Sequence, residues 1–452
     1  MSTINARLNR QTFSISRELE YFSEAELTTQ TGYGKEDWWP GVVAKELVDN
    51  SLDACEQAGT PPRIEVDFQG DSLTVVDNGP GLQPKMLERI LDFGSRTSDK
   101  AAYVAPTRGA QGNAFKTVLV IPYVLAGGKA GQVEVECSGI RHTIVVSTDH
   151  VLQRPQVEHR QELIVRNSGT LVRVTVDSAS SRALEPDSGF LQKLLRDYAL
   201  FNPHATFELV DDGERTLLEA TATDWRKWLP TDPTSAHWYN QERLETLIGC
   251  YIAGERDGGR VRSVREFVSE FRGLSSTAKG KQVSEKAGLQ RAYLHDLASN
   301  GHFDQEGVGG LLAAMQELSA PVKPEILGVL GKEHFAQRLQ AEGETFRYTC
   351  QKGIDGRGLP YLIECAFAIT SEDGLRGLHA GINWSGPLGN PVQDDAFRID
   401  DEQVVSGLMA LLANQRVNLY RDPVCLAIHL ACPRFRYLDR GKGSISLGGD
   451  HE

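Results

Sequence analysis

The chain has 452 residues, a formal net charge of −13 and 40% hydrophobic residues, enough for two or three domains with ordinary apolar cores. The acidic balance disfavours a protein that coats nucleic acid indiscriminately, because phosphate contacts supply most of that affinity. Seven cysteines without a Cys-x-x-Cys pair argue against a disulfide framework or a structural zinc site, and no apolar run approaches the roughly 20 residues that span a bilayer, so we expect a soluble, cytoplasmic protein.

The first segment with chemical character is a predicted helix over residues 40 to 58. Glu46 and Asn50 are four residues apart and share one face, while Leu47 and Leu52 can point toward a core. An amide oxygen suits Mg²⁺, and a carboxylate one turn away can accept a proton from an attacking water. The pattern predicts a metal ligand at Asn50 and a general base at Glu46; the alternative is an amphipathic helix with a solvated Glu and Asn.

A predicted strand over residues 72 to 77 ends in Asp77, followed by Asn78, Gly79, Pro80 and Gly81. A carboxylate at a strand end can accept a hydrogen bond from an exocyclic amine such as that of adenine, and glycines let the backbone approach a ligand closely. The alternative is a plain Asn-Gly-Pro-Gly turn.

Residues 107 to 116 read Thr-Arg-Gly-Ala-Gln-Gly-Asn-Ala-Phe-Lys and precede an apolar run. Gly109 and Gly112 at the start of a helix can form a lid whose amides hold phosphates. Lys116 is either a phosphate ligand or a solvated lysine. Thr170 immediately precedes a predicted strand and can place a hydroxyl near Asp77, although a threonine at that position often has no such role.

The remaining pattern indicates a mixed α/β layer to about residue 226, a mainly helical stretch over residues 240 to 318, and a second α/β layer from about residue 345, with a predicted helix near residues 402 to 414. Helices on one face of a mixed sheet would leave a nucleotide pocket between two layers. Loops are predicted at residues 211–214 and 254–259. The predicted strands are 63–68, 72–77, 132–137, 142–147, 171–176 and 206–210, and the further predicted helices are 84–92, 112–121 and 190–200.

Taken in order, Glu-x-x-x-Asn, Asp-x-Gly-x-Gly, a Gly-rich lid and Gly-Thr resemble the ATP-binding (Bergerat) fold shared by gyrase, Hsp90, histidine kinases and MutL, the GHKL superfamily. The sequence of residues 46–59, together with that of residues 108–112, is similar to the B subunit of topoisomerase VI, a type IIB DNA topoisomerase. The resemblance continues through residues 202–209, 237–247, 263–288, 310–324 and 429–442, and so spans nearly the whole chain.

The resemblance implies an α+β fold: a two-layer α/β sandwich ATPase domain of the gyrase/Hsp90 type, a small helix-two-turns-helix-like insert and a second, transducer-like α/β domain. It implies an N-terminal strap at residues 1–22, the ATP-binding domain at 23–226, the helical region at 227–318 and the transducer-like domain at 319–452. Catalytic roles are implied for Glu46 and for Lys442, which would reach the γ-phosphate. ATP contacts are implied, with Asn50 also holding Mg²⁺, for Asn50, Asp77, Gly79, Gly81, Arg108, Gly109, Gln111, Gly112, Asn113, Lys116 and Thr170.

The implied function is that of an ATPase subunit, a homodimer on ATP binding, which controls strand passage through double-stranded DNA with a separate cleavage subunit. Three departures from the family pattern stand out: Ala114 replaces a lid glycine, Lys116 replaces a small polar residue, and the sequence ends at Glu452, where the family continues into a long helix. The alternative function is an ATP-dependent conformational switch of a bacterial defence or DNA-repair complex, with a nuclease or another partner and without topoisomerase activity.

A modest basic island lies in the helical stretch. Residues 251 to 290 hold eight Lys or Arg and five Asp or Glu, a balance of +3. This island is either a DNA contact or an ordinary solvated helical surface.

Overall fold

The computed structural model describes residues 17–94, 102–109, 112–129, 131–166, 168–183, 189–340, 345–370, 375–392, 396–398, 404–419, 421–437 and 445–446. The chain divides into an N-terminal region (residues 17–226), a helical region (residues 227–318) and a C-terminal region (residues 319–446).

The N-terminal region is built on an eight-stranded sheet of order β5-β4-β3-β6-β2-β1-β7-β8. Neighbouring strands are antiparallel except for β1 and β7, which run parallel. The strands are β1 (Arg63–Phe68), β2 (Ser72–Asp77), β3 (Gly131–Cys137), β4 (Ile140–Asp149), β5 (Arg154–Leu163), β6 (Thr170–Thr175), β7 (Thr206–Asp211) and β8 (Glu214–Leu218).

Helices pack against this sheet because its strands alternate between buried and more exposed positions, so that one face is apolar. Helices α3 and α5 lie against the central strands and α7 against β7. The helices are α1 (Glu24–Thr31), α2 (Lys35–Asp37), a π-helical turn (Trp38–Val42), α3 (Val43–Gln57), α4 (Pro84–Ile90), α5 (Ala114–Leu125), α6 (Ser178–Ala183) and α7 (Phe190–Phe201), preceded by a 3₁₀ turn (Arg17–Phe22).

The helical region has an apolar core that also takes in Val104, from the segment before the Gly-rich motif, and Val322, Leu359 and Cys432 of the C-terminal region. Its helices carry side-chain N-caps, as Asn240, Ser263, Ser276 and Asp304 each accept a bond from a first-turn amide. The elements are a 3₁₀ turn (Ala236–Trp238), α8 (Gln241–Arg256), α9 (Val264–Val268), α10 (Thr277–Lys286), a 3₁₀ turn (Leu294–Leu297), β9 (Ala298–Ser299), β10 (His302–Phe303) and α11 (Gln305–Glu317).

The C-terminal region is a second α/β unit around a four-stranded sheet of order β11-β12-β16-β13, in which β13 and β16 are parallel. Its elements are a 3₁₀ turn (Pro324–Leu327), α12 (Lys332–Leu339), β11 (Arg347–Ile354), β12 (Pro360–Ile369), β13 (Gly377–Ile382), β14 (Ala396–Arg398), β15 (Val404–Ser406), α13 (Leu408–Asn414), β16 (Val424–Ala431), β17 (Arg436–Tyr437) and β18 (Ile445–Ser446). The predicted α+β class is thus confirmed.

Several predicted elements differ from the structure. The predicted helix at 402–414 is wrong in its first part, because residues 404–406 form β15 and Gly407, with φ of 75°, separates that strand from α13. The loop predicted at 254–259 begins too early, since α8 continues to Arg256. Strands β5 and β8 were not predicted, because their largely exposed, polar sequences lack the apolar alternation of a half-buried strand.

Candidate functional site

A cavity of about 390 Å³ opens between α3, the end of β2, the Gly-rich segment and the start of β6. Residues of the C-terminal region, Ile382, Ser385, Pro387 and Tyr437, complete its wall. Nine of the residues predicted for the site line this cavity: Glu46, Asn50, Asp77, Gly81, Arg108, Gly109, Gly112, Asn113 and Thr170. Segments that lie far apart in sequence therefore meet at one place.

Helix α3 presents one face to the cavity and another to the core. Leu47 and Leu52 are buried against the sheet, whereas Asn50 is exposed and the Glu46 side chain keeps 26% of its surface accessible. A carboxylate and an amide one helical turn apart thus reach the same open space, as the i, i+4 spacing predicts.

A polar network that was not predicted lies beside Glu46. Lys45 Nζ lies 3.3 Å from Glu46 Oε1 and 3.1 Å from Asp49 Oδ2. Asp49 also accepts hydrogen bonds from Tyr198 Oη at 2.9 Å and from Ser385 Oγ at 2.7 Å. Burial alone would lower the pKa of Lys45, but the Glu46 and Asp49 carboxylates raise this pKa well above its ordinary value, so the lysine is a fixed cation.

Asp77 is held by backbone donors at the end of β2. Its Oδ1 accepts from Gly79 N at 2.8 Å and from Thr170 N at 3.1 Å, and its Oδ2 accepts from Ser51 Oγ at 3.3 Å. Burial raises the pKa of Asp77, while these hydrogen bonds favour the carboxylate and offset part of the rise.

Glycine is required at position 169, in the turn that brings Thr170 to Asp77. Its φ is 72°, and a Cβ there would lie 2.1 Å from the carbonyl oxygen of Asp77. Gly169 N donates to Gly79 O at 2.9 Å, and this bond supports the turn. Gly79 itself does not line the cavity. The Asp-x-Gly-x-Gly and Gly-Thr motifs therefore form one unit.

The Gly-rich segment enters α5 at the rim of the cavity. Gly112 adopts φ of 72°, a conformation that is unfavourable for residues with a side chain. Asn113 is 3% exposed; its Oδ1 accepts from Tyr21 Oη at 3.1 Å and its Nδ2 donates to Gln30 Oε1 at 3.2 Å. Gln111 lies outside the described residues, as does Lys442.

Lys116 is fully buried within α5 and is absent from the described lining of the cavity. Its Nζ donates to Asp92 O and lies 5.9 Å from the centre of the Phe93 ring. The alternative of a solvated Lys116 is therefore wrong. The alternative of a phosphate ligand stays a prediction, and it would require the ammonium to leave Asp92 O.

Arg108 has no exposed side-chain surface, and its guanidinium binds acidic side chains of α3. Nη1 donates to Asp53 Oδ1 at 2.7 Å, and Nη2 donates to Glu56 Oε1 at 2.6 Å and Asn202 Oδ1 at 2.5 Å. The ATP contact expected of Arg108 stays a prediction. In the structure its guanidinium joins the Gly-rich segment to α3.

Glu56 is the centre of this buried charge cluster. It also contacts Lys227 Nζ at 2.9 Å and His204 Nε2 at 3.0 Å. Burial alone would raise the pKa of Glu56, but Arg108 and Lys227 hold it well below its ordinary value. Burial and the charge of Arg108 lower the pKa of Lys227 to about 8.

Sequence reasoning missed Lys45, Asp49, Ser51, Tyr198 and Ser385. A signal existed for the first two, because charged residues of opposite sign four apart on one helix commonly pair. Ser51 stands beside Asn50 within the motif itself. Tyr198 and Ser385 reach the site only through tertiary contacts, for which the local sequence carries no signal.

Within the described part of the chain, no helix combines the length and the hydropathy required to cross a bilayer. No family model matches the sequence.

Comparison with curated proteins finds relatives named as the B subunit of type 2 DNA topoisomerase 6. The chain is 26% identical over 421 residues to the protein of Archaeoglobus fulgidus, covering 89% of this chain and 66% of the relative. It is 32% identical over 182 residues to that of Natronomonas pharaonis (37% and 21%) and 30% identical over 257 residues to that of Halobacterium salinarum (53% and 30%).

The chain thus spans no more than about two thirds of the length of these relatives. The resemblance predicted from the motifs is confirmed: in sequence, the chain is similar to the B subunit of type 2 DNA topoisomerase 6 over most of its length.

Proposed function

We propose that this protein binds ATP with Mg²⁺ and hydrolyses it, as the nucleotide-dependent subunit of a topoisomerase VI-like enzyme. One observation carries the proposal: the four motif segments predicted to contact ATP line a single cavity, with the proposed base and metal ligand on one helix face. The names of the relatives support the same assignment.

Asp77 suits the recognition of an adenine base. Its carboxylate is fixed by the amides of Gly79 and Thr170 and lies at the wall of the cavity. A carboxylate accepts hydrogen bonds and donates none, so it matches an exocyclic amine and disfavours a carbonyl at the same place. Ser51, which bonds Asp77 Oδ2, would supply a hydroxyl to the same edge of the base.

The other end of the cavity suits phosphate groups and a hard cation. Gly109 and Gly112 contribute backbone to the wall just before α5, and Asn50 contributes an amide oxygen. Mg²⁺ commonly takes one or two protein oxygens besides phosphates and water, so Asn50 is a sufficient protein ligand. When bound, the cation would neutralise charge that develops on the phosphate oxygens.

In the proposed reaction, Glu46 orients a water molecule and accepts its proton while the water oxygen bonds to the γ-phosphorus. The bond from that phosphorus to the bridging oxygen breaks, and ADP leaves with the electron pair. Lys45 lies 3.3 Å from Glu46 Oε1 and restricts where that carboxylate points.

The N-terminal region would be a two-layer sandwich of the gyrase/Hsp90 type at residues 23–226, followed by a helix-two-turns-helix-like region at 227–318 and a transducer-like domain at 319–452. Lys442 would contact the γ-phosphate, and Gln111, within the Gly-rich lid, would contact ATP. Arg108 would act by anchoring the lid to α3, because its guanidinium is already bonded to Asp53 and Glu56.

Glu46→Gln tests the chemistry. The variant should lose at least about 100-fold in kcat for ATP hydrolysis, because general base catalysis typically contributes 10²–10⁴-fold. Its affinity for the non-hydrolysable analogue AMP-PNP should stay within about threefold of wild type, since Glu46 acts on water. The matched control is Glu306→Gln, an exposed glutamate in α11, which should hydrolyse ATP normally. Wild-type turnover in Glu46→Gln would contradict the assignment.

The cellular role is tested with a topoisomerase VI cleavage subunit. ATP and that subunit should together relax supercoiled plasmid DNA, and Glu46→Gln should abolish multiple turnovers. If the chain hydrolyses ATP and no cleavage subunit supports relaxation, the ATP-dependent switch without topoisomerase activity becomes the better description.

A further inference from the structure

The C-terminal region contributes a serine to the immediate surroundings of the proposed general base. Ser385 is 7% exposed, lines the cavity and donates from Oγ to Asp49 Oδ2 at 2.7 Å. Asp49 and Ser385 are separated by 336 positions, so this bond exists only while the C-terminal region is seated on the N-terminal region.

The backbone that presents Ser385 is strained. Ile382 and Ser385 bond each other's main chains across a tight turn whose central residues, Asn383 and Trp384, have φ of 47° and 67°. Such a turn normally takes Asn-Gly, because a side chain at positive φ is disfavoured, and a bulky Trp is unusual there.

Contacts on both sides hold this turn in place. Asn383 Oδ1 accepts from Cys432 N at 3.0 Å, and its Nδ2 donates to Cys432 O at 3.1 Å. The fully buried Trp384 accepts at its carbonyl from Asn202 Nδ2 at 2.8 Å. Strained residues persist only where their surroundings over-determine them, and such residues concentrate at functional sites.

Asp49 lies on α3, the helix that also bears Glu46, and connects Ser385 to Lys45. The oxygen that accepts from Ser385 also lies 3.1 Å from Lys45 Nζ, while the other oxygen accepts from Tyr198 at 2.9 Å. Asp49 is 5% exposed, and its two oxygens share three protein donors in the structure. Loss of the hydrogen bond from Ser385 would strengthen the electrostatic attraction between the Asp49 carboxylate and the Lys45 ammonium.

The Lys45 ammonium forms ion pairs with both Asp49 and Glu46. Its ammonium lies 3.1 Å from one carboxylate and 3.3 Å from the other, and its side chain is 13% exposed. Because the two carboxylates share one cation, a stronger electrostatic attraction to Asp49 moves the ammonium away from Glu46. Glu46 would then lose the partner that orients it.

We infer that Ser385 is a positioning residue for ATP hydrolysis: by bonding Asp49 it sets where Lys45 stands and thereby aims the Glu46 carboxylate. The inference rests on the proposed function, since it assigns regulation to the same site. The inference couples the rate of hydrolysis to the packing of the C-terminal region against the N-terminal region. The coupling runs through a contact with α3 and is separate from any contact of Lys442 with the γ-phosphate.

Ser385→Ala tests this inference by a split between kcat and KM. We expect kcat for ATP to fall about 5–10-fold, because a small displacement of a catalytic group costs rate, while KM and AMP-PNP affinity change less than twofold. Ser275→Ala, an exposed serine of the helical region, is the matched control and should behave as wild type. A wild-type kcat for Ser385→Ala, or a loss of AMP-PNP affinity equal to the loss in kcat, would overturn the inference.

A double-mutant cycle with Lys45→Met tests the route. Lys45→Met should itself lower kcat, and adding Ser385→Ala should lower it less than a further twofold, because the relay is already broken. A full, independent loss in the double variant would overturn the route through Lys45. The proposed function fails separately: in that case wild type does not hydrolyse ATP, or Glu46→Gln remains active.

Discussion

At the residue scale, Asp77 shows how a motif residue acquires its character from its neighbours. Two backbone amides and one hydroxyl donate to its carboxylate. These three hydrogen bonds fix the position of the carboxylate at the wall of the cavity. Asparagine at this position could still accept the amide bonds through Oδ1. Its Nδ2 would, however, place a donor where a carboxylate oxygen now stands.

Asp77→Asn should therefore weaken AMP-PNP binding about 5–150-fold, since a mismatched buried hydrogen bond costs about 1–3 kcal/mol. Titration calorimetry measures the change. Asp212→Asn, in the exposed turn between β7 and β8, is the matched control, because asparagine tolerates the positive φ of that position. Equal affinity of wild type and Asp77→Asn would remove Asp77 from the adenine site.

Lys116 illustrates the opposite case, in which residue type predicted a role that position does not support. A lysine that follows a Gly-rich segment suggests a cation for phosphate, yet α5 turns this side chain inward to Asp92 and Phe93. Helix phase, which is set by the apolar run after residue 116, determines that direction. A ligand role for Lys116 would require α5 to rearrange.

At the element scale, α3 is the helix on which the site depends. One side packs on the sheet, one side presents Glu46 and Asn50, and its C-terminal half offers Asp53 and Glu56 to Arg108. The Gly-rich segment is thus anchored to the helix that bears the proposed base. The residues just before this segment are held by the helical region, where Tyr239 Oη accepts from Val104 N at 3.0 Å.

Arg108→Gln should lower the free energy of unfolding by about 3–5 kcal/mol, because removal of one partner of a buried ion pair leaves an uncompensated charge. Urea unfolding followed by tryptophan fluorescence measures the change. Arg160→Gln is the control: its side chain is 81% exposed and pairs with Glu158 at the surface, so its effect should stay within about 0.5 kcal/mol. Equal effects of the two substitutions would show that the buried cluster is not a structural anchor.

At the scale of the whole molecule, the C-terminal region is joined to the N-terminal region by buried polar contacts and close packing. His379 in β13 bonds Asp197 in α7, and a Cβ on Gly381 would lie 2.5 Å from the Phe201 ring. Burial alone would lower the pKa of His379, but the Asp197 carboxylate raises it to about 10. Seating therefore depends on specific polar pairs, and Ser385 belongs to the same contact.

The implied homodimer can be tested with the N-terminal strap. AMP-PNP should raise the mass measured by light scattering toward that of a dimer in wild type, and deletion of residues 1–16 should prevent this without loss of AMP-PNP affinity. This deletion keeps Tyr21 and Phe22, which pack on Phe93 with ring centres 5.9 and 5.1 Å apart. A mass that does not change with nucleotide in wild type would contradict the dimer.

The sequence by itself determined the parts of this protein that depend on local pattern. Glu46 and Asn50 share a face because their spacing matches a helical turn, Asp77 ends a strand because the apolar alternation stops there, and the order of the motifs predicted the relatives later found. Strands β1 and β2 were predicted with their exact bounds, since half-buried strands alternate.

Only the tertiary structure decided which side chains surround those residues. Ser385 and Tyr198 reach α3, and Asn202 reaches Arg108, from distant positions. The charged groups of Arg108 and Lys116 bond inside the protein. Hydrogen bonds and ion pairs of this kind depend on distance in space and carry no periodic signal along the chain. The shared face of Glu46 and Asn50 on α3 was therefore visible in the sequence, whereas the polar network beside Glu46 was not.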